Sequence, residues 1–276
     1  MIHEIMFGCG GPKGMLFIGA MKAIVDVHKV DLSQVTHYGG VSIGACLALI
    51  FSLGISPDMA GELLANVDMR KLTSSVDIIS IITQLGGDSG ERLVFLIQSL
   101  LKEMIDREDI SFIEHHQLTG KKLTVQATNL TRHRLVEFSH ESHPEMSVVK
   151  AIRMSCSVPI LFTPVEHDDD FYIDGGLMSR YPKGSCTEET LIIAIRDTIP
   201  SSSSKREYSI TSLFSDMMYC LFQPEEMCNA TILTLEWSEE LHGCSKSMFP
   251  DQEGVQYMIH RGYCQAANAS VITSRS

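Results

Sequence analysis

Apolar residues fall along this chain in two rhythms. Short apolar runs bounded by glycine or polar residues, at 2–7, 35–38, 123–129, 135–138, 171–173, 191–195 and 232–237, have the length and composition of strands. Longer apolar stretches at 15–27, 43–53, 148–154, 210–222 and 252–267 read as helices. Residues 43–53, IGACLALIFSL, are apolar around their whole circumference, which predicts a buried helix. The alternation at the start of the chain predicts an α/β fold, a mainly parallel central sheet flanked by helices. No long linker isolates the C-terminal part, so residues 1–276 read as one domain, with 207–276 adding helices and a strand to the same sheet.

Two strand–loop–helix units open the chain. In the first, the loop is Gly8-Cys9-Gly10-Gly11-Pro12-Lys13-Gly14; in the second it is Gly40-Val41-Ser42-Ile43-Gly44. Roughly thirty residues separate them, about what one crossover connection requires, so the strands are expected to run parallel with both loops at one sheet edge. G-x-S-x-G between a strand and a helix forces a sharp turn that lifts the serine oxygen clear of the sheet. Composition alone produces that pattern in roughly one chain in ten, so its specificity comes from the flanking strand and helix. In the first loop, Gly10 and Gly11 are candidate oxyanion donors, because glycine permits backbone amides to be aimed at one point. Lys13 is a cation in a first helical turn, where the macrodipole disfavours it. A phosphate cradle fits poorly, since Lys13 precedes Gly14, Met15 follows it, and the third glycine of a dinucleotide fingerprint would fall on Lys13. An unliganded glycine turn is the plain alternative.

Farther on, Asp174 stands where a strand-like run breaks into Gly175-Gly176. Asp-Gly is a common turn dipeptide, and that reading stands beside the functional one. With Ser42 in the same chain, Asp174 is the candidate base. Histidines downstream of Ser42, among them His133, His140, His143, His167, His242 and His260, leave a Ser-His-Asp triad formally open, although none has a setting that marks it as a base. The stretches His167-Asp168-Asp169-Asp170 and His140-Glu141-Ser142-His143 lack metal-ligand spacing and read as solvated loops.

In sequence order, Gly10-Gly11-Pro12-Lys13-Gly14, Gly40 to Gly44, Met154-Ser155-Cys156-Ser157-Val158-Pro159 and Asp174-Gly175-Gly176 resemble the four motifs of the patatin-like lipid acyl hydrolases. The resemblance is specific up to about residue 180 and compatible only in pattern beyond it. It implies a three-layer patatin-like fold and a Ser-Asp dyad. Ser42 would be the nucleophile, Asp174 the base, and Gly10 and Gly11 the oxyanion hole with Lys13 beside them. Gly14, Gly40, Gly44, Gly175 and Gly176 would support the motifs. It also implies a serine esterase or phospholipase that acts on acyl lipid without cofactor or metal. Cys9 stands where the family has the first glycine of its triplet, and Ile43 where a small residue usually follows the nucleophile, which predicts a narrowed pocket. A catalytically silent lipid-binding relative and a triad esterase are the alternatives.

Composition adds limits. With 276 residues, 44% of them hydrophobic, the chain can bury a substantial core. Its net charge of −12 disfavours nucleic acid and strong docking on anionic lipid, so any peripheral membrane contact is expected to be apolar. No apolar run reaches the length of a spanning helix and no leader pattern opens the chain. Eight cysteines without C-x-x-C spacing read as reduced thiols, which suits a cytoplasmic location. Residues 58–114 form a possible cover segment. There 77–85 and 93–105 are expected to pack on the core in preference to forming a mobile lid, with 86–90 a flexible break. No signal for oligomeric state is present.

Overall fold

The computed structural model describes residues 1–67, 78–197, 229–237 and 250–270. Strand β1 (Glu4–Phe7) leads through a short turn at Gly11–Gly14 into α1 (Met15–Asp26), and β2 (His37–Val41) leads directly into α2 (Ile43–Ser52). Next come α3 (Pro57–Ala65), α4 (Ile78–Gln84), β3 (Gly86–Asp88), α5 (Glu91–Ile105) and α6 (Phe112–Thr119). The chain continues with β4 (Lys122–Asn129), β5 (Arg134–Phe138), α7 (Val148–Ser155), β6 (Ile160–Phe162), β7 (Val165–His167) and β8 (Asp170–Asp174). Strands β9 (Thr190–Asp197) and β10 (Thr231–Trp237) and helix α8 (Gln252–Ala267) complete it.

The main sheet has the order β10-β9-β1-β2-β4-β8-β7, with β5 also paired to β4. From β10 through β4 every pairing is parallel, whereas β4 with β5, β4 with β8 and β7 with β8 are antiparallel. The mainly parallel α/β sheet is therefore as expected, with an antiparallel flank added. Phe7 of β1 stacks on Phe51 of α2 with ring centroids 5.6 Å apart, and both are fully or nearly fully buried. Each such burial contributes about 1.5–3 kcal/mol. At the strand starts, the buried Glu4 carboxylate accepts hydrogen bonds from Ser185 and Thr190 and meets the His37 ring, tying β1, β2 and β9 together away from the loops.

Several boundaries differ from the apolar pattern. Strand β2 runs on through Gly39 and Gly40 to Val41, because neighbours on both sides supply its hydrogen bonds. Residues 86–90 are not a flexible break: Gly86–Asp88 pairs in parallel with β6. The His167–Asp170 stretch is a tight hairpin between β7 and β8, with Asp168 and Asp169 at φ 49° and 63°. Asp170 is buried and held by Asn129 and Arg132, so it does not belong to a solvated loop. Cys186 is disulfide-bonded, which corrects the expectation of thiols throughout, while Cys9, Cys46, Cys156 and Cys264 are in no disulfide. The expected helix at 210–222 lies outside the described residues. No helix among the described residues is long and apolar enough to cross a membrane.

Helix α2, which follows the G-x-S-x-G turn, is anchored at its far end by His115 of α6. Ser52 Oγ donates to the Leu49 carbonyl at 2.9 Å, so His115 Nε2, 2.8 Å from the same oxygen, must be the donor there. The other ring nitrogen, Nδ1, is then unprotonated, buried and without a partner. Burial, reinforced by the nearby charges of His116, Lys121 and His140, pushes the imidazole down to about 4. A depressed histidine contributes stability that is complete above its ordinary value of 6.5 and is lost as pH falls from there toward about 4. Urea unfolding should show up to roughly 3 kcal/mol lost across that window on this account. His115→Gln, which keeps the donor to Ser52 but cannot protonate, should flatten the slope; an unchanged slope would contradict the assignment.

Candidate active site

Strand register brings the site together. Along β4, Gln126 pairs with Val41 of β2 and the next residue, Ala127, pairs with Asp174 of β8. Strand β5 occupies the opposite edge of β4 at Val125 through Asn129, so β2 and β8 share one edge and meet end to end. Ser42, one residue beyond Val41, therefore arrives beside Asp174.

Ser42 sits at φ 57° and ψ −127°, a conformation unfavourable for a residue with a side chain. The elbow is enforced by close approach: a Cβ at Gly40 would collide with the Gly44 carbonyl, and one at Gly44 would stand 2.5 Å from the carbonyls of Phe7 and Gly8. Ser42 begins α2, but its hydroxyl makes no capping bond. Its amide is held instead by Ser155, whose Oγ accepts from Ser42 N–H at 2.8 Å and donates to the Gln126 carbonyl at 2.6 Å. One hydroxyl thus joins the elbow, α7 and β4.

Asp174 is anchored on three sides. Its N–H donates to the Ser157 carbonyl at 2.9 Å, its own carbonyl accepts from Thr128 Oγ1 at 2.9 Å, and its Oδ1 accepts from Gly176 N–H at 2.7 Å. Oδ2 is buried and accepts no hydrogen bond. Burial pushes the carboxyl up to about 6, opposed by the neighbouring Ser42 hydroxyl and the Gly176 amide. The hydroxyl of Ser42 is thus near enough to the carboxyl to favour its ionised form. Among the described residues, no histidine hydrogen-bonds Ser42 or Asp174.

The glycine-rich loop lies against both partners. Ile43 packs on Gly14, where a Cβ would stand 2.6 Å from the isoleucine side chain, and a Cβ on Gly176 would stand 3.1 Å from Cys9. Both residues that depart from the family pattern, Cys9 and Ile43, thus fill space left by glycine. Gly8 and Cys9 spend their amides on Ile193 and Arg180 carbonyls. Gly11 has φ 50°, and among the described residues neither its amide nor that of Gly10 donates a backbone hydrogen bond to another residue. Lys13 is placed differently from these two: its amide donates to the Gly10 carbonyl at 3.1 Å and its ammonium stands 5.8 Å from the centroid of the Trp237 ring. It closes the loop and brings its ammonium to β10. Gly175 lies against the Gln126 carbonyl, where no Cβ would fit.

Sequence reasoning quoted Ser155 and Ser157 only as motif letters and missed Gln126 and Arg153. Arg153 is buried and donates to the carbonyls of Ser89 and Thr163 and to Ser157 Oγ. It braces α7, β3 and β6 behind the residue that holds Asp174. A signal for Gln126 existed: Thr124, Gln126 and Thr128 alternate with Leu123, Val125 and Ala127 along β4, and all three are buried. A surface cleft of about 620 Å³ beside Arg153 and Phe95 includes neither Ser42 nor Asp174.

The patatin-like phospholipase family model matches residues 5–184, a span holding both glycine-bearing loops, Ser42, Ser155 and Asp174. The chain belongs to the patatin-like phospholipase family. It is 26% identical over 242 residues to the probable lipid hydrolase 463L of invertebrate iridescent virus 6, covering 84% of this chain and 78% of that protein. Among solved structures it is similar in fold to VipD of Legionella pneumophila, with TM-score 0.60, 17% identity, and coverage of 99% of this chain and 66% of that one. The type III effector ExoU of Pseudomonas aeruginosa also matches in fold, with TM-score 0.52, 16% identity, and coverage of 99% of this chain and 53% of that one. The chain thus spans about half to two thirds of those two structures.

A carboxyl raised by burial has a cost that can be measured. Because its folded value of about 6 lies above the ordinary 3.8, the stability linked to Asp174 is complete below 3.8 and lost as pH rises toward 6. Asp174→Asn should therefore be more stable than the parent at pH 7, by about 1–3 kcal/mol in urea unfolding, and not at pH 3.5. Lower stability of the variant at pH 7 would contradict a buried, unpaired carboxylate.

Proposed function

We propose that the protein is a serine lipid acyl hydrolase of the phospholipase A type, working through a Ser42–Asp174 dyad and an acyl-enzyme. The observation that carries this reading is the buried carboxyl of Asp174, its Oδ2 unpartnered, with the side chain of a strained elbow serine beside it. A carboxylate is ordinarily too weak a base for an alcohol, and two features offset that. Burial raises the base toward working pH, and the start of α2 places positive dipole charge beside the forming alkoxide.

Asp174 Oδ2 takes the Ser42 proton while Oγ attacks the ester carbonyl. Negative charge then develops on the carbonyl oxygen, where the Gly10 and Gly11 amides stabilise it without reorganising. Collapse breaks the ester bond, and the departing alcohol takes the proton from Asp174. Water, deprotonated by the same carboxylate, attacks the acyl-enzyme, and the fatty acid leaves as Oγ recovers its proton. No step calls for a metal or cofactor. The substrate is an acyl ester of a phospholipid or related lipid, and it is met at a membrane surface from the cytoplasmic side. Ile82 and Leu85 near the end of α4 and Phe95 of α5 are apolar and 64–74% exposed, a surface suited to shallow apolar contact with neutral lipid.

A fluorophosphonate should label Ser42 covalently, and Ser42→Ala should abolish both labelling and fatty acid release from phospholipid vesicles. A silent lipid-binding protein would not react. Asp174→Asn should lower kcat/KM by at least about a hundredfold, and retained activity in that purified variant would refute the dyad. In the parent, kcat/KM should fall as pH drops below about 6, where Asp174 takes up its proton. An acid limb near 4 would mean that a different group is the base.

A further inference from the structure

Two thiols meet behind the elbow. Cys46 lies near the start of α2, a few residues beyond Ser42, and Cys156 caps the end of α7; their Sγ atoms stand 3.9 Å apart. Neither is in a disulfide, and Cys156 is buried whereas Cys46 is half-buried. Cys46 also lines a gap of about 20 Å³ between α2 and α5, so packing around its side chain is incomplete on that side. The hydrogen bond with Cys46, burial and the nearby Asp174 carboxylate hold the Cys156 thiol protonated well above its ordinary value. Cys46 is therefore the sulfur that a reagent from solvent meets first, with Cys156 behind it.

We infer that Cys46 and Cys156 are an oxidation site, closed to a disulfide by a hydroperoxide and reopened by thiols, and that closure slows Ser42. The effect on Ser42 rests on its reading as nucleophile; the cross-link does not. Cys46 Sγ attacks the outer oxygen of the hydroperoxide, the O–O bond breaks, and the thiol proton leaves with the inner oxygen as an alcohol or water. Cys156 Sγ then attacks the sulfenic acid, the S–S bond forms as the S–O bond breaks, and the Cys156 proton leaves with that oxygen as water. Closure to a disulfide draws the sulfurs about 2 Å nearer than they stand. Little slack surrounds them: Ala45, Leu47 and Ala48 of α2 and Ala151, Ile152 and Met154 of α7 are fully buried, and a close-packed interior transmits displacement. Cys156 stands between Ser155, whose hydroxyl accepts from the Ser42 amide, and Ser157, whose carbonyl accepts from the Asp174 amide. Drawing Cys156 toward α2 disturbs both holds at once.

The test treats the purified protein with hydrogen peroxide, alkylates the remaining thiols and maps the peptides by mass spectrometry without reduction. A Cys46–Cys156 linked peptide should appear, and the rate of fluorophosphonate labelling at Ser42 should fall by roughly tenfold or more in step with it, both reversed by dithiothreitol. Cys46→Ala should label at the parent's rate without peroxide and keep that rate with it. Peroxide sensitivity retained in Cys46→Ala would place the effect on another thiol, such as Cys9 of the glycine-rich loop, and overturn the inference. A linked peptide with unchanged labelling, or slowed labelling with no linked peptide, would overturn it as well. These two readings are made on the parent, so they decide the matter even where Cys46→Ala fails to fold. If the untreated parent neither takes up the fluorophosphonate nor releases fatty acid, the reading of Ser42 is refuted; the linked peptide then supports the oxidation site by its presence and overturns it by its absence.

Discussion

One edge of strand β4 is the constraint from which the site follows. Gln126 and Ala127 are adjacent, and through them a parallel strand from early in the chain and an antiparallel strand from much later end against each other. A shift of one residue in either register would turn every side chain of that strand to the opposite face. The Ser155 hydroxyl locks this arrangement, since it accepts from the Ser42 amide and donates to Gln126 itself. The approach of Ser42 to Asp174 is thus a property of sheet register, reinforced by one buried bridge, and does not depend on long flexible side chains finding one another.

The same register accounts for the electrostatics. At a sheet junction covered by α2 and α7, Asp174 loses water, and its compensation among the described residues is the Gly176 amide on Oδ1 and the nearby serine hydroxyl. A structural aspartate would be expected to have both oxygens satisfied. Leaving Oδ2 unpartnered costs stability and raises the carboxyl's proton affinity, to about 6. The protein tolerates that cost because the surrounding parallel sheet and the packing of Phe7 on Phe51 hold the elbow rigidly. Helix α2 follows directly on Ser42, its body fills the core, and one stripe of its surface faces α5.

Much of this was legible in the chain. Period and composition located α1, α2, α7, α8 and most strands, because those elements are long or wholly apolar. The motif glycines pointed to the elbow because close backbone approach leaves them no substitute. Elements that depend on partners were not legible. Gly39 and Gly40 have no strand propensity, yet they continue β2 because β1 and β4 flank them, and Gly86–Asp88 is a strand only through β6. Lys13 has a motif position but a different occupation, over Trp237, which lies far off in sequence. Ser155 and Gln126 became meaningful only once the register was known. Cys186 could not be paired from spacing, since disulfide geometry is a matter of three-dimensional proximity.

The most direct test of the central claim is titration of the Asp174 carboxyl itself, by carbon-13 NMR of aspartate-labelled protein assigned through the Asp174→Asn spectrum. A carboxyl buried at the strand junction beside Ser42 should titrate near 6, and higher still in Ser42→Ala, where the hydroxyl that lowers it is gone. A midpoint near 3.8, the ordinary value, indifferent to Ser42→Ala, would mean that the carboxyl is solvated and apart from the serine, and the account would fail.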